Sequence, residues 1–332
     1  MTIDKIYLKF KKKYRRALVT GGAGFIGSHI CQELAVRGFP VISLDDYSAG
    51  KKANLKHLKK YPNFIEVKVD ITDLGRLPRF FRGVDIIFHN AASKKSICLK
   101  DPRRDLAVNG SGTFNLLELA AKFKIKKFVH ASTGSVYGEG KIFPQNENHP
   151  TNPVSFYGVS KLAGEKYVQI FHQIYGINTT ILRYFHVYGP RQESGEFGGV
   201  VAIFIKKLQQ GQRPVIFGTG RQQRSFTYVN DVVRANLLTA IKPEAKGQIY
   251  NCASGIKVTI NELVREIIRA FGTKIKPIYK DWQIGDIKVF DIDIRKIRSL
   301  GMDFERDYTL GIQMTIDSMK ENLNYEPRSF KR

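Results

Sequence analysis

The sequence predicts an α/β protein built around a doubly wound parallel sheet. Two observations predict it: short apolar runs of strand length recur along the first half of the chain, and helical patterns lie between most of them. A continuous apolar run is typical of a strand that is buried on both faces, as the strands of a parallel sheet are. We therefore expect helices on both faces of this sheet.

The elements of the sheet can be placed along the chain. The predicted strands are residues 17–20, 41–44, 64–69, 85–89, 127–132 and 178–183. The predicted helices between them are residues 25–37, 73–81, 105–122 and 156–175. Beyond about Gly189 this alternation stops, a helix follows Gly198, and a short strand and turn follow Pro214. We expect a larger part, residues 1–190, and a smaller α/β part, residues 191–332, with some exchange of chain between the two.

Composition limits the class of protein. The chain has 332 residues, 42% of them hydrophobic, which is enough for a sizeable buried core. Cys31, Cys98 and Cys252 are widely spaced and odd in number, so we expect a reducing compartment, no disulfide and no metal site. No apolar run approaches the roughly 20 residues that cross a membrane, and the N-terminus lacks the apolar segment of a signal peptide. We expect a cytoplasmic protein without a transmembrane segment.

The charge balance is strongly basic, with 54 Lys and Arg against 30 Asp and Glu and a formal net charge of +24. The basic residues are spread over many segments, so a specific nucleic-acid partner is not expected. The densest cluster, residues 5–16, interleaves lysines with apolar residues. A weak contact with an anionic membrane surface and a frayed basic arm both agree with this pattern. The positive field would also attract a small anionic substrate.

A glycine-rich turn follows the first predicted strand. Gly21, Gly24 and Gly27 come directly after Thr20, and an apolar helix opens with Phe25 and Ile26. Strand, glycines and helix in this order are typical of a dinucleotide-binding turn, where glycine lets the backbone approach the pyrophosphate. The amides at the start of the helix would donate to the phosphates.

An acidic residue ends the second predicted strand. Asp45 lies 21 positions after Gly24, and a carboxylate there accepts hydrogen bonds from ribose hydroxyls and repels a 2′-phosphate. This favours NAD over NADP as the cofactor. Asp46 is adjacent and can share the role, whereas Lys51 and Lys52 leave NADP open.

Tyr157 stands four residues before Lys161, inside the predicted helix 156–175. Positions four apart share one face of a helix, so the ammonium of Lys161 can lie near the phenol of Tyr157. A nearby cation favours phenolate and lowers the pKa of a tyrosine from about 10. Tyr157 is therefore a candidate general base or acid near neutral pH.

Five motifs follow one another in an order that resembles a known family. They are the glycine turn, His89-Asn-Ala-Ala92, Ala131-Ser-Thr-Gly-Ser-Val-Tyr-Gly138, Tyr157 with Lys161, and Arg183-Tyr-Phe-His-Val-Tyr-Gly-Pro-Arg191. Over roughly residues 16 to 312 the chain resembles the extended short-chain dehydrogenase/reductases, specifically the nucleotide-sugar epimerases and dehydratases. The resemblance implies a Rossmann domain that binds NAD in residues 1–190, a substrate-binding part in residues 191–332, and a homodimer.

The resemblance also implies roles for single residues. At the cofactor it implies Asp70, Ile71, Ala91, Ala92, Lys94, Asn109 and Tyr184, beside Tyr157 and Lys161. At the substrate it implies Lys94, Thr133, Tyr157, His186, Val200, Phe217, Arg224 and Phe290. Thr133 would hydrogen-bond the sugar hydroxyl that Tyr157 deprotonates. Arg224 would grip the diphosphate, for which a guanidinium fork is suited, and Asn109 would support the helix that bears on the active site.

The residues after Thr133 distinguish the reactions of this family. Dehydratases carry Asp-Glu there, and the decarboxylases that form UDP-xylose carry Glu at the second position, whereas this chain has Gly134 and Ser135. The machinery that remains suits epimerisation. We expect 4-epimerisation of a UDP-hexose, of the UDP-glucose/UDP-galactose or UDP-glucuronate type, through a 4-keto sugar with NAD accepting and returning the hydride.

Departures from the family pattern bear on the substrate. His186 stands where Asn is usual, Ser225 where Asp is usual, and Gln283 where Arg is usual. The bulk of Phe290, near the C2 group of the sugar, favours a hydroxyl over an N-acetyl group. The alternatives are a dehydratase, decarboxylase or reductase of the same fold, and a non-catalytic RNA-binding relative.

Overall fold

The computed structural model describes residues 1–93, 95–195, 198–282 and 289–320. Its strands are β1 (Ala17–Thr20), β2 (Val41–Asp45), β3 (Phe64–Lys68), β4 (Ile86–His89), β5 (Lys127–Thr133), β6 (Thr179–Tyr184), β7 (Val187–Tyr188), β8 (Val215–Phe217), β9 (Gln223–Arg224), β10 (Thr227–Tyr228), β11 (Gln248–Cys252), β12 (Val258–Thr259) and β13 (Ile278–Lys280). Each of the six predicted strands forms within one residue of its predicted ends.

Seven of these strands form one parallel sheet, in the order β11-β6-β5-β4-β1-β2-β3. The chain winds outward from β1 in both directions, which confirms the doubly wound sheet. Such a reversal leaves a crevice at the carboxyl ends of the strands. In the register of the sheet, Thr20 at the end of β1 is paired with Leu44 of β2 and with His89 of β4. The segments that follow these strands therefore meet at one edge of the sheet.

The helices are α1 (Ile3–Lys13), α2 (Phe25–Val36), α3 (Lys95–Lys100), α4 (Pro102–Leu106), α5 (Thr113–Lys122), α6 (Phe156–Tyr175), α7 (Val200–Gln209), α8 (Val229–Ile241), α9 (Ile260–Phe271), α10 (Arg295–Ser299) and α11 (Tyr308–Lys320). A π-helical segment, Ala107–Gly112, joins α4 to α5. The predicted helix 105–122 thus changes pitch in its middle. At Gly112 a Cβ atom would lie 2.6 Å from the side chain of Ile71, so only glycine allows this close contact.

The helix predicted over residues 73–81 is wrong. The structure has turns there and one short 3₁₀ segment, Pro78–Phe80. Gly75 and Pro78 are poor helix formers within so short a segment. Leu77 and Phe81, whose spacing suggested a helix, are both buried without one.

The basic N-terminal segment is the packed helix α1. Its apolar residues Ile6, Tyr7 and Phe10 are buried, and the ring of Phe10 stacks on Phe88 of β4 with 6.1 Å between the ring centroids. The expectation of a frayed arm is wrong, because the segment is a helix that packs on the protein. Most of its apolar side chains face the core, which leaves Leu8 and the lysines exposed.

The smaller part of the chain contains its own apolar core. Buried residues of α7, α9 and α11 pack together there, among them Phe204, Leu263 and Ile312. Strand pairs β8–β13, β9–β12 and β7–β10 lie beside this core. One strand from the second half of the chain, β11, instead joins the large sheet next to β6. Across the described ranges, no helix is both long and apolar enough to span a membrane.

Candidate active site

The glycine turn lies where the ends of β1 and β4 meet. Gly21 has a φ of +64°, and a Cβ atom on it would lie 2.7 Å from the amide nitrogen of Ala91. A Cβ on Gly27 would lie 2.1 Å from the carbonyl oxygen of Gly21. Helix α2 begins after Gly24 without a side-chain cap. The amides of Phe25 and Ile26 therefore lie at a helix start suited to phosphate.

The carboxylate of Asp45 is buried at the end of β2. It accepts hydrogen bonds from the amide nitrogens of Ala23 (2.9 Å) and Tyr47 (2.8 Å). Burial raises the pKa of Asp45, and these amides oppose the rise. The carboxylate is thus held rigidly beside the glycine turn, where sequence analysis places the ribose.

Next to Asp45, an arginine joins two further carboxylates. The guanidinium of Arg104 lies 3.0 Å from Asp46 and 2.6 Å from Asp70. The amide and hydroxyl of Thr72 also donate to Asp70. The sequence gives no sign that Arg104 belongs to this site, because it lies on α4, far along the chain from both aspartates.

These groups line one cleft that is open to solvent. Its lining includes half of the predicted cofactor residues, namely Gly21, Gly24, Asp45, Asp46, Asp70, Ile71, Ala91 and Ala92. Asn90 also lines it, and both polar atoms of its side chain are buried without a hydrogen-bond partner among the described residues. Buried amides are normally paired. The glycine turn leaves room for the backbone to approach a pyrophosphate, and the side chain of Asn90 has hydrogen-bonding groups that no described residue occupies and that a ligand could use. Both features are suited to a dinucleotide.

Tyr157 and Lys161 lie on the first turns of α6. The side chain of Ser155 caps this helix by accepting from the amide of Gly158. The ammonium of Lys161 donates to the carbonyl oxygen of Ala131 on β5 at 2.6 Å. Tyr157 is partly exposed, whereas Lys161 is buried. The structure thus fixes the lysine against the sheet and leaves the side chain of the tyrosine partly exposed.

The pKa of Tyr157 moves in the direction opposite to the one expected. Burial raises it, and the nearby Cys98 and Asp105 raise it further. Burial also lowers the pKa of Lys161 to about 8, although Glu165 and Asp105 oppose the change. A lysine four residues away therefore does not by itself give Tyr157 a low pKa here, because burial of the phenol raises that pKa.

The side chain of Asn109 links the cleft to α6 from within the π-helical segment. Its side-chain oxygen accepts a hydrogen bond from the backbone amide of Ser93 at 3.0 Å. Its side-chain nitrogen donates to the carboxylate of Asp105 (2.8 Å) and to the hydroxyl of Ser160 (3.0 Å). Ser160 in turn donates to the carbonyl oxygen of Tyr157. All these partners belong to the protein, so Asn109 braces the tyrosine helix.

Thr133 ends β5, and its side chain accepts from the amide of Ser135 at 3.1 Å. At Gly134 a Cβ atom would lie 2.3 Å from the ring of Phe185. Phe185 is buried and stacks on Tyr137 with 6.2 Å between the ring centroids. The space that a side chain at position 134 would need is therefore filled.

Three of the predicted substrate residues form one cluster. The guanidinium of Arg224 lies 5.4 Å from the centre of the Phe290 ring, and the His186 ring lies 4.7 Å from it. Burial and Arg224 lower the pKa of His186 to about 3, so its ring is neutral at physiological pH. Its Nδ1 is buried without a partner in the described part of the chain. His186 has a φ of +38°, which is uncommon for residues other than glycine.

The remaining predicted residues are placed as follows. Val200 is the first residue of α7, and Phe217 ends β8, both partly exposed. The hydroxyl of Tyr184 shares hydrogen bonds with the side chain of Asn236 on α8, so its polar group bonds within the protein. Lys94 and Gln283 lie outside the described residues.

The parallel sheet, the glycine cradle and the tyrosine–lysine helix define an enzyme of the short-chain dehydrogenase/reductase class. Comparison with known proteins agrees with this class. Residues 17–253 match the model of the NAD dependent epimerase/dehydratase family. A UDP-glucose 4-epimerase from Mycolicibacterium smegmatis is 37% identical over 91% of this chain and 97% of its own length.

Two solved structures are also similar. The UDP-glucose 4-epimerase of Thermotoga maritima, with UDP-glucose, has a TM-score of 0.87 and 37% identity, covering 93% of this chain and 99% of its own. The UDP-N-acetylglucosamine 4-epimerase of Methanobrevibacter ruminantium, with UDP-N-acetylmuramic acid, has a TM-score of 0.88 and 32% identity, with the same coverage. The chain belongs to the NAD dependent epimerase/dehydratase family. The expected enzyme class, an NAD-dependent isomerase, is thereby confirmed.

Proposed function

We propose that the protein interconverts the C4 epimers of a UDP-hexose. The observation that carries this proposal is the filled space after Thr133. Dehydratases of the family carry carboxylates at positions 134 and 135, and the Phe185 ring leaves no room for a side chain at position 134. Decarboxylases carry a carboxylate at position 135, where this chain has Ser135. Tyr157, Lys161 and Thr133 remain, and these suffice for oxidation and reduction at a single carbon.

In this proposal each side chain has a defined task. Thr133 hydrogen-bonds the C4 hydroxyl, and Tyr157 removes its proton and later returns it. Lys161, with its pKa near 8, is largely protonated at neutral pH and favours the phenolate. When bound, NAD would supply the acceptor and donor of the hydride and would add a positive charge to the site. The high pKa of Tyr157 before binding means that its activation depends on this added charge.

The substrate would lie between the two parts of the chain. We assign NAD binding mainly to residues 1–190 and substrate binding mainly to residues 191–332. Arg224 would hold the diphosphate, with Phe217 and Val200 at the nucleotide. Phe290 packs on His186 and Arg224, so its bulk narrows the sugar pocket and favours UDP-glucose over its N-acetyl analogue.

A product assay tests the reaction. Purified protein with NAD should convert UDP-glucose into UDP-galactose, and chromatography resolves the two sugars. Tyr157→Phe should reduce turnover by roughly 100-fold or more, as loss of a general base does, while NAD stays bound. Tyr175→Phe, an exposed tyrosine at the end of the same helix, is the matched control. A 4-keto-6-deoxy sugar or a pentose as the product would refute epimerisation, as would full activity of Tyr157→Phe.

We also propose a homodimer formed through α6. Exposed apolar residues recur along this helix at spacings that place most of them on one face, namely Phe156, Val159, Tyr167, Ile170 and Ile174. Phe114 on the neighbouring α5 adds to it. An apolar stripe across two packed helices suits a contact with the same stripe of a second copy.

A cytoplasmic location completes the proposal. The three cysteines of the chain are buried, unpaired thiols. This agrees with a compartment that keeps thiols reduced. Activity in the cytosolic fraction of fractionated cells, with none in the membrane fraction, is the expected result.

A further inference from the structure

The arginine that joins two aspartates lies at the end of the cleft where the sequence predicts the adenosine ribose. The amide of Arg104 donates to the side chain of Asp101, which fixes the start of α4. Its guanidinium then reaches Asp46 at 3.0 Å and Asp70 at 2.6 Å. Each of these three side chains is about 30% exposed, at 30%, 27% and 31% for Arg104, Asp46 and Asp70. The ion pairs therefore orient the arginine at the open side of the cleft.

The local charge is opposite to that of the whole protein. Asp45, Asp46 and Asp70 face the cleft together with a single guanidinium, so this end is negative in a chain of net charge +24. NADP differs from NAD by a 2′-phosphate on the adenosine ribose. Enzymes that select NADP place an arginine near this phosphate, and enzymes that select NAD place a carboxylate near the ribose. This chain has both groups, bound to each other.

We propose that Arg104 is a specificity-determining residue for the cofactor, and that Asp46 withholds its guanidinium from a 2′-phosphate. While Asp46 and Asp70 occupy its donors, the cleft accepts NAD and repels NADP. If the bond to Asp46 is removed, the guanidinium can donate to a phosphate in the same cleft. Lys51 and Lys52, both exposed after β2, would then add to the attraction.

Cofactor binding by cofactor-free protein, measured by isothermal titration calorimetry, tests the proposal. Asp46→Asn removes the negative charge. It keeps a side-chain oxygen that can still accept the hydrogen bond that the amide of Ser48 donates to Asp46. We expect this variant to bind NADP about tenfold more tightly than the original protein, so that its preference for NAD over NADP falls by at least about tenfold. The double variant Asp46→Asn with Arg104→Gln should lose the gain.

The control is Asp4→Asn, which changes the net charge equally and breaks another aspartate–arginine pair, Asp4 with Arg37 at 2.7 Å. It should leave both affinities unchanged. A gain in NADP affinity that persists in the double variant, or that Asp4→Asn also produces, would overturn the proposal, as would no gain in Asp46→Asn. Mass spectrometry of the nucleotide retained after incubation with equal NAD and NADP provides a second measure.

Discussion

At the scale of single residues, Gly134 and Phe185 depend on each other. The ring occupies the volume where a Cβ at position 134 would lie, at 2.3 Å. Because cores are closely packed, an added methyl group must displace the ring or the backbone. A side chain could therefore be introduced at position 134 without such a displacement only if position 185 also changed.

This dependence predicts the effect of Gly134→Ala. We expect it to lower the free energy of unfolding by about 1–3 kcal/mol, the usual cost of overpacking. In combination with Phe185→Leu, which makes room, the loss should be smaller than the sum of the two single effects by at least about 1 kcal/mol. Urea denaturation of the four proteins measures the coupling. Simple additivity would show that the ring does not restrict position 134.

The candidate residues that lie in motifs could be found from the sequence. The residues that contact them in the folded protein could not. Tyr157, Lys161 and the glycines follow fixed spacings, so periodicity and order along the chain suffice to find them. Arg104 and Phe185 act on residues that are distant in sequence, and only the fold brings them together. The direction of the Tyr157 pKa shift was wrong for a related reason, since spacing reports a nearby cation but does not report burial.

At the scale of elements, α1 is an amphipathic helix whose many lysines make it difficult to recognise from the sequence. Its buried residues Ile6, Tyr7 and Phe10 follow helical spacing, and Tyr14 continues that pattern. The lysines between them occupy the opposite face, and their density suggested a solvated arm. The hydroxyl of Tyr14 donates to the carbonyl oxygen of Ala240 at the end of α8. The helix therefore stabilises the packing of α8 and β4, two elements that it contacts.

Phe10→Ala tests this contribution. Phe10 is fully buried, so its truncation should cost about 3–5 kcal/mol of unfolding free energy. Leu8→Ala is the matched control, because Leu8 lies on the same helix and is 50% exposed. We expect it to change stability by less than about 0.5 kcal/mol. Equal effects in urea denaturation would mean that α1 does not pack as described.

Strand β5 begins with a buried lysine, which predicts a dependence of stability on pH. The Lys127 ammonium donates to the side chains of Asn178 (2.7 Å) and Thr180 (2.6 Å), and burial lowers its pKa from 10.5 to about 7. Between these two pH values the unfolded chain carries a proton that the folded chain does not. Stability should therefore rise with pH across this window.

The comparison of Lys127→Met with the original protein isolates this effect. Between pH 7 and 9, the stability of the original protein relative to the variant should rise by about 1 kcal/mol per pH unit. Lys12→Met, at an exposed position on α1, should show no such trend. A difference that stays constant with pH would mean that Lys127 remains charged in the folded protein.

At the scale of the whole molecule, the apolar stripe on α6 predicts the oligomeric state. Ile174 is 67% exposed, so Ile174→Glu should leave the folded subunit intact. It should convert a dimer into a monomer, because a charge in an apolar contact is costly. Sedimentation velocity measures the change, with Leu310→Glu on α11 as the control at an exposed apolar position. An unchanged dimer would exclude this part of α6 from the interface.

The fold class was predictable because apolar strands alternate with helical patterns over the first half of the chain. The seventh strand was not, since Gln248–Cys252 follows the irregular second half and carries no signal of its partner. Its place beside β6 is set by tertiary packing. This is also why a boundary at residue 190 does not separate two independent sheets.

The position of β11 has a consequence for how the protein forms during synthesis. Until the ribosome has made Cys252, the outer edge of β6 has no strand to pair with, and an unpaired parallel edge can bind other chains. The dinucleotide half cannot complete its sheet as it emerges, although its glycine turn is made early. We expect the nascent chain to become protease-resistant only after β11 leaves the ribosome, and fragments that end near residue 190 to aggregate.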